Sequence, residues 1–132
     1  MANKKFEIYN KKQNGKYSGI NKIYPDIPVL SITKTWLRFN DVSETKLQLK
    51  KGSEILFSKS DNEVYIADVT ETYISGFRLN HVANTKNLVV NSKLLISRMN
   101  LEGGIYLIDK EAIFDKDTKI DWYKLTLQAK LF

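Results

Sequence analysis

Residues 29–39 have the sequence Val-Leu-Ser-Ile-Thr-Lys-Thr-Trp-Leu-Arg-Phe, and this stretch decides the fold class. The apolar residues of its first half, Leu30 and Ile32, have even numbers, whereas those of its second half, Leu37 and Phe39, have odd numbers. Side chains alternate between the two faces of a strand, so the core-facing phase changes between the halves. A bulge or a tight turn in the middle explains the change. We therefore predict extended chain on both sides of that point.

The next segment predicts a short helix near residues 41–49. Asn40 or Asp41 is a suitable N-cap, and Glu44 stands three residues after Asp41, as in a capping box. The segment Lys50-Lys51-Gly52 then supplies cations and a glycine where the helix ends.

Most of the remaining apolar runs are short and rich in β-branched and aromatic residues, which is typical of strands. The predicted strands cover residues 6–9, 17–20, 55–57, 64–67, 70–74, 77–82, 88–90, 105–108, 112–114 and 120–127. Asn14-Gly15 is a favoured two-residue hairpin turn between the first two. Residues 92–99 predict a second short helix. The expected fold is mainly β with two short helices.

The chain is expected to form one β-rich domain, residues 26–132, preceded by a basic arm or hairpin, residues 1–25. The boundary is the proline-bearing segment Tyr24–Pro28. Within the domain, the order strand, Asn, short helix, Gly, hairpin occurs twice, which indicates two similar units at about 29–75 and 76–128. The alternative is coincidence among common residue types.

The net charge of +6 is concentrated at the N-terminus. Residues 1–25 carry six lysines and one glutamate, whereas the other 107 residues carry 15 cations and 14 anions. A basic segment of this kind attracts polyanions. The alternative is that the lysines serve solubility alone.

Several functional classes lack the residues that they need. The chain has no cysteine, so disulfides and thiolate metal sites are excluded. His81 is the single histidine and lies in an alternating strand, and Asp115, Asp117 and Asp121 have a calcium-like spacing without the required glycine. We expect no enzyme activity, no cofactor and no metal. No apolar run or secretory signal indicates a membrane, so we expect a cytoplasmic protein of a bacterium or of an infected host cell.

Cations interleaved with aromatic residues are the remaining candidate site. Lys34, Trp36 and Arg38 alternate and are expected to share one strand face. Cations bind phosphates, and aromatic rings stack on unpaired bases at roughly 1–3 kcal/mol each. The N-terminal candidates are Lys4, Lys5, Lys11, Lys12 and Lys16. The structural alternative places Trp36 in the core or at its rim.

The run 32–57 resembles the DNA-contacting half of the AbrB-type transition-state regulators, which also occurs in antitoxins. The matching segments are Ile32-Thr33-Lys34, Leu37-Arg38-Phe39, Leu47-Gln48-Leu49-Lys50-Lys51-Gly52-Ser53 and Ile55-Leu56-Phe57. The chain departs from the family at Asn40, where the family has proline, and at Thr35, Gln48, Lys51 and Ser53, where it has Gly, Gly, Pro and Asp.

This resemblance implies a small β-barrel, or swapped-hairpin-like sheet, of interleaved hairpins. It also implies DNA binding by Lys34 and Arg38, with Lys46, Lys50 and Lys51 as further contacts. The family dimerises, and the second unit of this chain can supply that partner half. We expect a nucleic-acid-binding regulator that prefers DNA to RNA and forms a homodimer or a higher homo-oligomer. The rival hypothesis is a non-enzymatic structural or assembly protein of phage origin.

Overall fold

The computed structural model describes residues 19–81 and 87–130. Within these ranges the helices are α1 (Gly19–Ile23), α2 (Asp41–Lys46) and α3 (Lys93–Met99). The strands are β1 (Val29–Ile32), β2 (Trp36–Phe39), β3 (Glu54–Ser60), β4 (Glu63–Asp68), β5 (Phe77–Arg78), β6 (Asn80–His81), β7 (Leu88–Asn91), β8 (Gly104–Ile108), β9 (Ile113–Asp115) and β10 (Ile120–Lys130). The fold is mainly β, as predicted. None of the helices in the described ranges is long and apolar enough to span a bilayer.

One antiparallel sheet contains all the strands of the described ranges and nearly closes into a barrel. Its order is β5-β3-β4-β10-β8-β1-β2-β7-β6, and β9 pairs with β10 beside this path. The end strands β5 and β6 are consecutive parts of the segment Phe77–His81. Between them, Leu79 donates its N–H to the carbonyl of Ser53 and accepts from the N–H of Gly52. The two ends of the sheet therefore meet in one stretch of chain, which confirms the predicted small barrel.

The pairing pattern of the strands is equivalent in the two halves of the chain. The first unit contributes β1, β2, β3 and β4, and the second contributes β5/β6, β7, β8 and β10 in the same order. Strand β1 pairs with β8 as β5 pairs with β3, while β2 pairs with β7 and β4 pairs with β10. Each unit thus completes the sheet of the other, and the two-unit repeat of the sequence has a counterpart in the structure.

The turn at residues 33–35 produces the predicted change of phase. Leu30 pairs with Phe39 and Ile32 with Leu37, so both apolar pairs face the same interior and all four side chains are fully buried. Burial of each such side chain stabilises the fold by about 1.5–3 kcal/mol. Leu47, after α2, and Ile96, within α3, belong to the same core cluster. Both helices therefore pack against the interior that the sheet encloses.

Asn87, which is buried, ties the first turn of α2 to the start of β7. Its Nδ2 donates to Asp41 Oδ1 and to Glu44 Oε2, at 2.9 Å each. Its Oδ1 accepts from the Nδ2 of Asn21 at 2.8 Å, and Glu44 Oε2 also accepts from the N–H of Leu88. Three segments that are distant in the sequence, α1, the first turn of α2 and the start of β7, are joined by this network.

The structure has a third helix where a strand was predicted. The strand predicted at residues 17–20 is wrong at its described end, because Ile20 lies in α1 and packs on Val29 and Ile105. A single helical turn can bury Ile20 against the outer side of the sheet without pairing as a strand. The predicted strand 6–9 and the hairpin at Asn14-Gly15 lie outside the described residues.

The strand predicted at residues 70–74 is also wrong, because this segment forms turns and bends. The hydroxyl of Thr72 donates to the carbonyl of Val69 at 2.8 Å and accepts from the N–H of Ile74 at 3.1 Å. Such local bonds from threonine compete with the ladder of a sheet. The β-favouring composition of residues 70–74 therefore predicted a strand that the structure does not contain.

Candidate nucleic-acid interface

Trp36 and Arg38 lie side by side on the outer face of β2. Leu37 and Phe39 point into the core, so alternation turns the two other side chains outward. The Arg38 Cζ atom lies 4.7 Å from the centroid of the Trp36 ring, which is within the range of a cation–π contact. Together they form a flat surface element that is both cationic and aromatic.

Packing holds the Arg38 side chain in place. Partial burial lowers the pKa of its guanidinium, because removal of water disfavours the charged form. The group stays protonated near neutral pH, since an arginine starts from a pKa far above that range. Within the described residues its buried Nε–H has no hydrogen-bond acceptor. Arg38 is therefore a partly buried cation whose guanidinium lies against the Trp36 ring.

Lys34 lies in the turn between β1 and β2 and is exposed, so it does not share a strand face with Trp36 and Arg38 as predicted. The turn is held by Thr33, whose hydroxyl oxygen accepts from the N–H of Thr35 at 3.3 Å and of Trp36 at 3.2 Å. These bonds tighten the turn that follows the end of β1 at Ile32, two residues before Lys34. The Lys34 ammonium nevertheless belongs to the same hairpin as the Trp36–Arg38 pair.

The Lys34–Lys93 groove lies between this turn and α3. It has a volume of about 350 Å³. Its lining residues are Thr33, Lys34, Lys93, Ile96, Ser97, Asn100, Leu101 and Gly103. Two exposed lysines, two hydroxyl groups and one amide thus face one groove whose lining has no carboxylate. Such a surface suits a ligand with several anionic oxygen atoms.

The lysines around the end of α2 do not line this groove. Lys46 donates from Nζ to the carbonyl of Lys110 at 2.7 Å and lies 5.2 Å from the Tyr123 ring centroid. It lines a different groove, which also contains the carboxylates of Asp68 and Asp121. Lys50 and Lys51 are exposed in the turn before β3. Lys4, Lys5, Lys11, Lys12 and Lys16 lie outside the described residues.

The candidate catalytic and metal-binding residues are not assembled into a site. His81 is exposed at the end of β6. Asp115 accepts from the hydroxyl of Thr118 and the N–H of Asp117, and these bonds lower the pKa of its carboxyl group. Across residues 19–81 and 87–130, no group of three histidine or acidic side chains is arranged to hold a metal ion.

Lys93 and Ser97 line the candidate interface and were not among the residues predicted from the sequence. They reach the groove because β2 pairs with β7, with Trp36 opposite Asn91 just before α3. This register brings the second helix beside the first hairpin, and local sequence patterns do not encode it. The internal repeat was the available signal, since it places α3 where α2 stands in the first unit.

Comparison of the chain with models of known protein families, with curated proteins and with solved structures finds no match.

Proposed function

We propose that the protein binds nucleic acid, DNA before RNA, through the Lys34–Lys93 groove and through the Trp36–Arg38 pair, which lies on the same hairpin as Lys34. The observation that carries the proposal is the groove itself. Two different elements bring exposed lysines to it, and no carboxylate lines it. Cations in such a position replace the counterions of a phosphate backbone, which drives binding.

The Trp36–Arg38 pair gives this surface a second kind of contact. Trp36 is partly exposed, and its ring is backed by the Arg38 guanidinium. A base or sugar that reaches the ring adds stacking energy, at roughly 1–3 kcal/mol per base. The resemblance of residues 32–57 to the AbrB-type regulators favours DNA and a regulatory role. Interleaved pairing of two units is the arrangement that this resemblance implies.

A rival function in assembly is favoured by β9. Ile113 and Phe114 are 56% and 57% exposed on this strand, which pairs with β10 alone among the described strands. An edge with exposed apolar side chains suits pairing with another protein chain. Against this, the ends of the main path meet in Phe77–His81, so the described sheet has little other free edge.

Fluorescence anisotropy with labelled single- and double-stranded DNA at two salt concentrations tests the proposal. The variant Lys34→Gln/Lys93→Gln should weaken binding and lower the slope of log affinity against log salt by about two, roughly one for each lost phosphate contact. The matched control is Lys110→Gln/Lys116→Gln, which removes the same charge from exposed lysines near β9. It should leave the slope nearly unchanged.

A third variant, Lys50→Gln/Lys51→Gln, tests the residues that the resemblance implies. A loss there with none at Lys34 and Lys93 would move the interface and contradict the proposal. If the wild-type protein binds neither DNA at low salt, nucleic-acid binding is wrong. Light scattering that then shows a large closed ring would support assembly instead.

A further inference from the structure

The two units of the chain can be compared residue by residue. The inward-facing Leu37 and Phe39 of β2 correspond to Leu88 and Val90 of β7, an offset of 51. One extra residue follows in the second unit, so the helix caps Asn40 and Ser92 correspond with an offset of 52. The helices confirm this offset. Gln48 and Asn100 both have left-handed backbones after their helices, with φ of 54° and 51°.

The groove side of the two helices differs in charge at corresponding positions. Lys93, at the start of α3, corresponds to Asp41, and Ile96 corresponds to Glu44. In the second unit these positions line the cationic groove. In the first unit both carboxylates accept hydrogen bonds from Asn87 and hold the start of β7. In the first unit these two positions therefore stabilise the fold.

The outward-facing residues of β2 also differ from their counterparts in the second unit, in this case by exposure. Trp36 corresponds to Asn87 and Arg38 to Val89, by the offset of 51. Asn87 and Val89 are buried, at 1% and 3% exposure, whereas Trp36 and Arg38 are partly exposed. The cationic and aromatic surface of the first unit thus has a buried counterpart in the second. Among the described residues, Trp36, Arg38 and Lys93 thus each correspond to a residue of different character in the other unit.

We infer that, within residues 19–81 and 87–130, the pairing pattern of the two units carries one nucleic-acid site and not two equivalent ones, and that this site is composite. The hairpin β1–β2 of the first unit contributes Lys34, Trp36 and Arg38, and α3 of the second unit contributes Lys93 and Ser97. The corresponding α2 position repels phosphate through Asp41 and Glu44. This inference rests on the proposed function and adds to it the number of sites and the asymmetry of the surface.

A matched pair of substitutions tests the inference. Ser97 and Thr45 are both exposed and each is the fifth residue of its helix. Ser97→Glu places a carboxylate in the Lys34–Lys93 groove. It should weaken DNA binding roughly tenfold at low salt, because the carboxylate repels phosphate and offsets the charge of the two lysines. Thr45→Glu introduces the same charge at the corresponding place in the first unit. It should change the affinity by less than about twofold.

The opposite substitutions guard against a loss of folding. Ser97→Lys should strengthen DNA binding, an outcome that an unfolded protein cannot mimic, and Thr45→Lys should leave it nearly unchanged. Equal effects at the two positions, or a larger effect at Thr45, would overturn the single-site inference while leaving nucleic-acid binding intact. Failure of the wild-type protein to bind any DNA is a different result and overturns the proposed function itself.

Discussion

The side chain of Asn40 uses its full hydrogen-bonding capacity inside the protein. Its Oδ1 accepts from the N–H of Val29 at 3.1 Å and of Ser43 at 2.9 Å. Its Nδ2 donates to the carbonyls of Tyr24, at 3.0 Å, and Ile27, at 2.7 Å. A carboxamide has two donors and two acceptor sites, so none is left over. One residue thereby caps α2 and fixes the chain that leads into β1.

We predict that Asn40→Ala lowers the free energy of unfolding by about 3 kcal/mol or more, because four backbone groups lose the partner that the buried Asn40 side chain provides, and two of them, the N–H groups of Val29 and Ser43, are in buried hydrogen bonds. The midpoint of urea unfolding measures the change. The control is Asn91→Ala, which removes an exposed asparagine side chain one residue before the cap of α3 and should cost far less. Equal losses in the two variants would contradict this role for Asn40.

Part of this role could be predicted at the level of the residue. Asn40 was one of two candidate caps, because asparagine before a short amphipathic segment favours that position. The bonds to Tyr24, Ile27 and Val29 could not be predicted, since they depend on where the preceding chain runs. They also explain why an asparagine serves here although the resembling family has proline, which has no side-chain donor or acceptor.

At the level of elements, β4 and β10 are joined by a side-chain cluster on the outer face of the sheet. Tyr65 pairs with Lys124 in the ladder, and Glu63 accepts a hydrogen bond from the Tyr65 hydroxyl. The Lys124 ammonium lies 3.4 Å from a carboxylate oxygen of Glu63. The hydroxyl and then the ammonium lower the pKa of Glu63, because both favour its charged form.

This cluster predicts a dependence of stability on pH. A carboxyl group whose pKa is lowered in the folded state adds stability above its unfolded pKa, and this contribution disappears as the pH falls through the folded pKa. Glu63→Gln should therefore lose a little stability at neutral pH and be less sensitive to acid below about pH 4. Urea midpoints of both proteins between neutral pH and pH 3 measure this. Parallel curves would show that the cluster contributes nothing.

Elements were predictable where their signal was local. The parity change in 29–39 required a turn, and the turn is present because the strands on both sides bury their apolar residues in one core. The segment 70–74 was wrongly predicted to be a strand. The Thr72 hydroxyl forms hydrogen bonds with nearby backbone groups, which holds the segment in a turn. Lys93 was missed as a site residue because its place beside Lys34 depends on the β2–β7 register.

At the scale of the whole molecule, neither unit can complete a sheet alone. Strand β1 of the first unit pairs with β8 of the second, and β3 of the first unit pairs with β5 of the second. These two ladders therefore connect the units. We predict that the fragments 1–75 and 76–132 show no cooperative unfolding when separate and regain it when mixed. Circular dichroism during urea titration measures this. A fragment 1–75 that unfolds cooperatively as a monomer would contradict the prediction.

The pairing of Leu30 with Tyr106 has a consequence for how the protein folds during its synthesis. When β1 leaves the ribosome, its partner strand β8 has not yet been synthesised. Most of the chain must follow before the β1–β8 ladder can form. Contacts between residues so distant in sequence slow folding, because a long loop must be ordered before the contacts can stabilise it. The nascent protein therefore keeps apolar strand edges exposed late into translation. We expect a slow folding phase and a need for chaperone protection that a domain of the same size with local hairpins would not have.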